Sequence, residues 1–332
     1  MGDAIKDARR GTRIRRLRAE LEESGFAFTG SEGWQMALLE EVEHAIHPRV
    51  HERKVASLGA IIDPRADLST WREGTGLEIV ERPIGEQPLA WARRFTDGLS
   101  SWLIRRPDGV DAWAVFDRPA GSERDLGVLA EALQATLVQR HPTGAVRVVG
   151  PAGVWRWVGF DWYHEPPVAT WVDAITMRPD HGDPRVLEAL LEFAVHDLGS
   201  LGIGALIIYR PDDGPGPVTE ARLPLPPSLE ILRPLSLSPL RHALRQIDGA
   251  GIFDASGTLR QLGVRLVPTA EAESKVEGFK GMRHTSARRY SYDDPRATVI
   301  VVSEDGPVTV FRKGDLLGIS PEPEAVPDDD DA

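Results

Sequence analysis

Two short stretches of the chain combine residue types that handle phosphate. The first is Asp248-Gly249-Ala250. An acidic residue followed by two of the smallest residues lets a ligand approach the backbone closely. The carboxylate can hold a divalent metal beside a phosphate. Alone, Asp-Gly is only a turn signal. The second stretch, Gly281-Met282-Arg283-His284-Thr285-Ser286-Ala287-Arg288, begins about 33 residues later. Gly281 frees the backbone at a loop-to-helix junction, and a helix start favours anions. Arg283, His284, Thr285 and Ser286 add donors suited to phosphate. A carboxylate with small residues, followed by a cationic helix start, makes a reasonable metal–nucleoside-triphosphate site.

Other groupings read more plainly. His44, His47 and His51 have the spacing of one helix face, but Pro48 breaks a helix there. Packed or exposed histidines are therefore expected rather than a metal site. Trp155, Trp157, Phe160, Trp162 and Tyr163 fit core packing better than a ligand cage. The arginines from Arg9 to Arg18 read as a solvated helix face rather than a contact with an acidic partner. Neither GxGxxG before a helix nor the P-loop signature occurs, so the two common nucleotide fingerprints do not apply.

The elements around these residues follow from periodicity. In the first half, Ile5–Ser24 and Trp34–Ile46 read as helices. Trp102–Ile104, Ala112–Phe116, Val146–Val149 and Val154–Val158 read as strands. Leu126, Leu129, Leu133 and Leu137 form a helical stripe over Asp125–Gln139. This half is expected to be α+β. In the second half, Asp183-Pro184 opens a helix as N-cap and first helical residue, with Leu187, Leu190, Leu191, Ala194 and Leu198 on its apolar face. Ala205–Tyr209 is a buried strand and Ser238–Gln246 a helix. Gly251–Phe253 and Leu259–Leu266 pair through a turn at Asp254–Gly257. Thr298–Val302 and Val308–Phe311 flank Asp305-Gly306. The mixture predicts an α/β domain with a central mixed sheet flanked by helices.

Composition sets outer limits. At 332 residues the chain suits two domains. All nine Trp lie between Trp34 and Trp171, and the Pro/Gly-rich stretch at 178–184 suggests a boundary. Domains are expected at 1–180 and 181–318, with an acidic, disordered tail at 319–332. The net charge of −12 disfavours nucleic-acid backbone as a partner. The chain has no Cys, which excludes disulfides, thiolate nucleophiles and cysteine-ligated metals. It has no apolar run long enough to span a membrane and no secretory signal, so a cytoplasmic location is expected.

Residues 202–317 resemble a diadenylate cyclase domain, the nucleotidyltransferase family that includes the N-terminal domain of the DNA-integrity-scanning protein. Four blocks carry the resemblance in order. Gly204-Ala205-Leu206-Ile207-Ile208 is similar to the family's GALIVI strand. Asp248-Gly249-Ala250 matches its DGA motif. Gly281–Ala287, GMRHTSA, resembles GxRHRxA. Val301-Val302-Ser303-Glu304 resembles the VVSEE strand end. The resemblance implies that each domain binds one ATP and that two domains meet face to face as a homodimer or within a higher oligomer. Each ribose 3′-hydroxyl would attack the α-phosphate of the other ATP, giving cyclic di-AMP and two pyrophosphates.

By the same resemblance Asp248 would bind Mg²⁺ or Mn²⁺ and help deprotonate the 3′-hydroxyl. Arg283 and His284 would grip phosphates. Gly249, Ala250, Leu266, Gly281, Thr285, Ser286, Ser303 and Glu304 would contribute to the ATP site. One departure stands out: the family's RHR reads RHT, with Thr285 in place of the second Arg. Arg288 and Arg289, three and four residues on, adjoin Thr285 on a helix face and are candidate substitutes. Without that cation the alternative is a weak or inactive domain that binds ATP or cyclic di-AMP as a sensor. Residues 1–180, through the GPAGVWRW stretch at 150–157, resemble the sensor-type domains that precede some of these cyclases.

Overall fold

The computed structural model describes residues 2–48, 50–51, 54–157, 159–165, 167–177, 181–212, 219–221, 225–279, 281–304 and 308–319. The expected tail lies, apart from Ile319, outside the described residues. The chain forms two compact units, Met1–Pro167 and Val168–Ser320.

The first unit contains α1 (Gly2–Glu23), α2 (Glu32–Ile46), β1 (Val50–His51), β2 (Lys54–Val55), β3 (Leu58–Ile62), α3 (Leu68–Thr75), β4 (Ile79–Pro83), α4 (Leu89–Ala92), β5 (Ser101–Arg105), β6 (Ala112–Phe116), α5 (Glu123–Leu133), β7 (Thr136–Arg140), β8 (Val146–Gly150), β9 (Gly153–Trp157) and β10 (Trp162–Glu165). Eight of the strands form one sheet in the order β10-β9-β8-β7-β3-β5-β6-β4. Only β3 and β5 pair in parallel. Alternation along β3 sends Ala60 and Ile62 to a core shared with α1 and α2, and Ile61 to a core shared with α3 and α5. The sheet is thus covered on both faces.

Several expectations are corrected or refined here. The helical stripe expected to reach Gln139 stops at Leu133, and Leu137 lies on β7. Gln134 adopts φ 48°, ψ 49°, which reverses the chain. β7 is then hydrogen-bonded on both edges, to β3 and β8. Two ladders outweigh a fourth leucine on a helix. Helix α2 ends at Ile46 with His47 as its cap, and His51 lies on β1, so the three histidines share no helix face. Trp155 and Trp162 belong to the core; Trp155 packs edge-on against Phe26 at 4.8 Å and stacks on His164 at 4.2 Å. Arg10 and Arg13 reach Glu40 and Glu43 of α2 at 2.7 and 2.9 Å.

The second unit contains α6 (Val168–Thr176), α7 (Pro184–Glu192), β11 (Ala205–Tyr209), β12 (Thr219–Ala221), α8 (Pro234–Gln246), β13 (Ala250–Phe253), β14 (Leu259–Leu266), α9 (Ala270–Lys275), α10 (Met282–Asp293), β15 (Thr298–Val302), β16 (Val308–Arg312) and β17 (Asp315–Ile319). Helix α6 packs with this unit, its Val168, Trp171 and Ile175 joining the core of α7. Asp183 caps α7 as expected, accepting the Arg185 N–H at 2.9 Å. The helix continues through a wider π turn over Phe193–Leu198, which keeps Ala194 and Leu198 in the core.

The sheet runs β12-β14-β13-β11-β15-β16-β17. Only β11 and β13 are parallel. Ala205, Ile207 and Tyr209 face the core of α6, α7 and α8, and Leu206 and Ile208 face the core beneath α10. Among the described residues no helix is long and apolar enough to cross a membrane.

Candidate active site

Strand direction brings distant parts of the chain to one edge of the second sheet. Leu206 sits opposite Ala250 in the parallel β11–β13 pair, so both strands begin at the same edge. β15 runs the other way and places Val302 opposite Ala205, so Ser303 and Glu304 leave the sheet there. β14 is antiparallel to β13, with Val264 opposite Ala250, so Leu266 ends at that edge too. Val308 opens β16 opposite Val302. Gly204, Asp248, Leu266, Ser303 and Glu304 therefore share an edge, although up to about 100 residues separate them.

The start of α10 comes to this edge. Gly281 adopts φ 115°, a conformation that side-chain-bearing residues rarely take. A Cβ built there would meet no atom within 4 Å, so the backbone, not crowding, demands glycine. Gly204 is small for the opposite reason. A Cβ on it would lie 2.6 Å from Arg283 Nη1 and 3.3 Å from Glu304 Oε1. The Arg283 guanidinium and the Glu304 carboxylate occupy the space over the Gly204 backbone. Strand β11, the β15 exit and the α10 start are thereby joined at one point.

Asp248 is exposed at the end of the α8–β13 connection and has no hydrogen bond or ion pair among the described residues. Gly249 has φ 111°, and a Cβ on it would meet Gly263 C at 2.7 Å and Val264 N at 2.9 Å. Its smallness lets β13 and β14 close on each other just behind the Asp248 carboxylate. Ala250 is fully buried and Leu266 is nearly so, both in the core beneath α10. These two shape the edge from below.

His284 is half-buried, with Nε2 3.3 Å from Thr309 Oγ1. Its ring lies 6.0 Å from that of Phe279 and 6.4 Å from that of Phe311. Thr285 does something its sequence position did not suggest. Its hydroxyl accepts the Phe279 N–H at 3.0 Å and donates to the Phe279 carbonyl at 3.1 Å. It fastens the loop that carries Phe279 against His284. Arg288 donates to the Gly314 and Glu277 carbonyls at 2.8 and 3.3 Å. Arg289 donates to the Val276 carbonyl at 3.4 Å. Both guanidinium groups thus engage backbone carbonyls flanking the helix. Ser286 and Ser303 are half-buried.

Among the described residues no group of three or more His, Asp or Glu side chains could hold a metal ion by itself. An exposed, unpaired carboxylate suits the other arrangement, in which Mg²⁺ takes one or two protein carboxylates and completes its shell with substrate phosphates and water.

Residues 16–165 match the family model described as Probable sensor domain DACNK. Residues 192–316 match the model described as DisA bacterial checkpoint controller nucleotide-binding. No curated protein matches the chain. Among solved structures it is similar to a hypothetical membrane spanning protein from Bacillus cereus, at 18% identity over 40% of this chain and 69% of that one, with a TM-score of 0.31. It is also similar to a double mutant of DacA from Staphylococcus aureus, at 16% identity over 42% of this chain and 87% of that one, with a TM-score of 0.26.

Proposed function

We propose, for a chain whose residues 192–316 belong to the diadenylate cyclase family and whose residues 16–165 belong to the DACNK sensor-domain family, that two copies condense two ATP into cyclic di-AMP and two pyrophosphates. One observation carries the reading: Gly204, Asp248, the α10 start and Ser303-Glu304 converge on one sheet edge. Such an edge, where strands begin and a helix N-terminus points outward, suits a polyphosphate.

In this reading the ATP phosphates lie against the α10 start, where the first backbone N–H groups and Arg283 oppose their charge. His284, steadied by Thr309 and the Phe279 and Phe311 rings, adds a donor. Ser303 and Glu304 line the other side. Leu266 and Ala250 support the floor near the base. Asp248 would hold Mg²⁺ or Mn²⁺, which when bound neutralises phosphate charge. Asp248 would also take the proton leaving the 3′-hydroxyl. As each new ribose O–P bond forms, the bond from that α-phosphorus to pyrophosphate breaks. Positioning and charge neutralisation carry most of such a transfer. One unit holds one ATP, so closing both bonds requires a homodimer or a larger assembly.

Incubating the purified chain with ATP and Mn²⁺ or Mg²⁺, with products read by mass spectrometry, tests the reaction. Cyclic di-AMP is expected. ATP bound yet unchanged with either metal, at concentrations that permit dimers, would favour a second reading: a nucleotide-binding sensor with weak or lost catalysis. The engagement of Thr285, Arg288 and Arg289 with backbone groups is the observation in its favour. Those bonds hold the Nε of each arginine on the loop and turn flanking the helix.

A further inference from the structure

A hydroxyl lies inside the second unit where the strand pattern suits an apolar side chain. Residues Val308–Arg312 of β16 are all buried. Val308 and Val310 join the core of α6, α7 and α8. Alternation turns Thr309 and Phe311 to the other face, and Phe311 belongs to the core beneath α10. Thr309 is fully buried. A valine of the same shape would fill the place with no polar atom to satisfy, whereas a buried hydroxyl needs a partner.

That partner is His284. Thr309 Oγ1 lies 3.3 Å from the ring Nε2, and the hydroxyl makes no other hydrogen bond among the described residues. A threonine hydroxyl carries one hydrogen to donate. Here it can be given only to a ring nitrogen that bears none. Were the ring hydrogen on Nε2, the hydroxyl would accept it, and its own hydrogen would be buried without an acceptor, the costly arrangement. The rings of Phe279 and Phe311, 6.0 and 6.4 Å from the imidazole, bring no nitrogen or oxygen of their own. They hold its plane and leave the choice at Nε2 to the hydroxyl.

We propose that Thr309 is a positioning residue: its hydroxyl donates to His284 Nε2 and holds the neutral ring in its Nδ1–H form. Which ring nitrogen carries the hydrogen is set by the bond that the other makes. Nε2 faces a fully buried group, so an ATP phosphate that meets His284 meets Nδ1–H. The charge opposing the phosphate is then that of Arg283, and His284 supplies a directed N–H without net charge. This use of the ring rests on the cyclase reading; the location of the hydrogen does not.

The test uses the full chain labelled with ¹⁵N-histidine, without ATP, at a pH well above the ordinary imidazole value of about 6.5. The chain has nine His, and the His284 signals are identified by their loss in His284→Gln. Long-range ¹H–¹⁵N correlations within the ring tell the two forms apart. The Nδ1–H pattern is expected in the parent and in Thr309→Ser, which keeps the hydroxyl. In Thr309→Val, Nε2 loses its donor, and its resonance should move downfield or give way to that of the Nε2–H form. An Nε2–H pattern in the parent, or the same Nε2 resonance in Thr309→Val as in the parent, overturns the proposal. Turnover is read separately. Thr309→Val should lower kcat/KM for ATP by about tenfold, the worth of one directed hydrogen bond, and Thr309→Ser should restore most of it. An altered ring with undiminished kcat/KM refutes the positioning role. Absence of cyclic di-AMP in the parent counts against the cyclase reading, while the ring signals still decide where the hydrogen lies.

Discussion

Thr285→Val separates two ideas about the position where the family has arginine. Valine keeps the shape but removes the hydroxyl that both accepts from and donates to Phe279. Phe279, half-buried beside exposed Glu277 and Gly278, then loses two hydrogen bonds. Each is worth about 0.5–1.5 kcal/mol net, and water replaces part of it at half burial, so about 1–2 kcal/mol in all is expected. That corresponds to roughly a 5- to 30-fold change in the local opening equilibrium. Amide exchange at Phe279 should speed up by that factor in Thr285→Val and barely change in Thr285→Ser. Equal exchange in the two variants would refute the claim that the hydroxyl holds the loop. Thr285→Arg sets two effects against each other. The loop loses its fastening, while the half-site gains a cation. Tighter ATP binding despite faster Phe279 exchange would mean that phosphate lacked a partner. ATP binding no tighter than that of Thr285→Val, which loosens the loop without adding a cation, would mean that it did not.

Three further outcomes follow from the geometry. Asp248→Asn should abolish cyclic di-AMP formation while unfolding stays that of the parent, because Asp248 is exposed and makes no hydrogen bond or ion pair among the described residues; retained turnover would remove its role. Gly249→Ala should destabilise the second unit by about 1–3 kcal/mol, since the new methyl meets the β14 backbone at 2.7 Å at a positive φ, and an unchanged unfolding midpoint would contradict that packing. Asp97 gives a pH dependence: burial alone would raise its pKa, but the Leu99, Ser101 and Ser100 N–H groups together hold it below the usual range. A lowered folded pKa contributes stability above the unfolded value, about 3.9. The deficit of Asp97→Asn in denaturant unfolding should therefore be full near neutrality and shrink as pH falls through that range; a deficit constant with pH would contradict it.

What could be read from residue order alone was local or carried by a motif. The strands flanking Gly204, Asp248 and Ser303 are short apolar runs beside small or acidic residues, and each motif lies at a strand end because its glycine or acid stops the run. Their meeting at one edge required strand directions, which pattern does not encode. The Asp183-Pro184 cap was legible because both residues act within one turn of chain. Leu137 misled because a leucine four residues past Leu133 also suits a helix, and only pairing on both edges of β7 decides otherwise. The Thr285–Phe279 bonds lay beyond reach because they depend on how a six-residue loop folds back. The pairing of buried Glu41 with Arg93 and Arg105 was hidden because those partners lie 52 and 64 residues away and reach it only through the tertiary fold.

The most direct test of the central claim is the mass of the species that turns ATP over. Light scattering at assay concentration should find a dimer or larger assembly wherever cyclic di-AMP forms, with specific activity falling as dilution drives the chain toward 36.5 kDa. Full specific activity in a solution of 36.5 kDa monomers would contradict condensation between two facing half-sites.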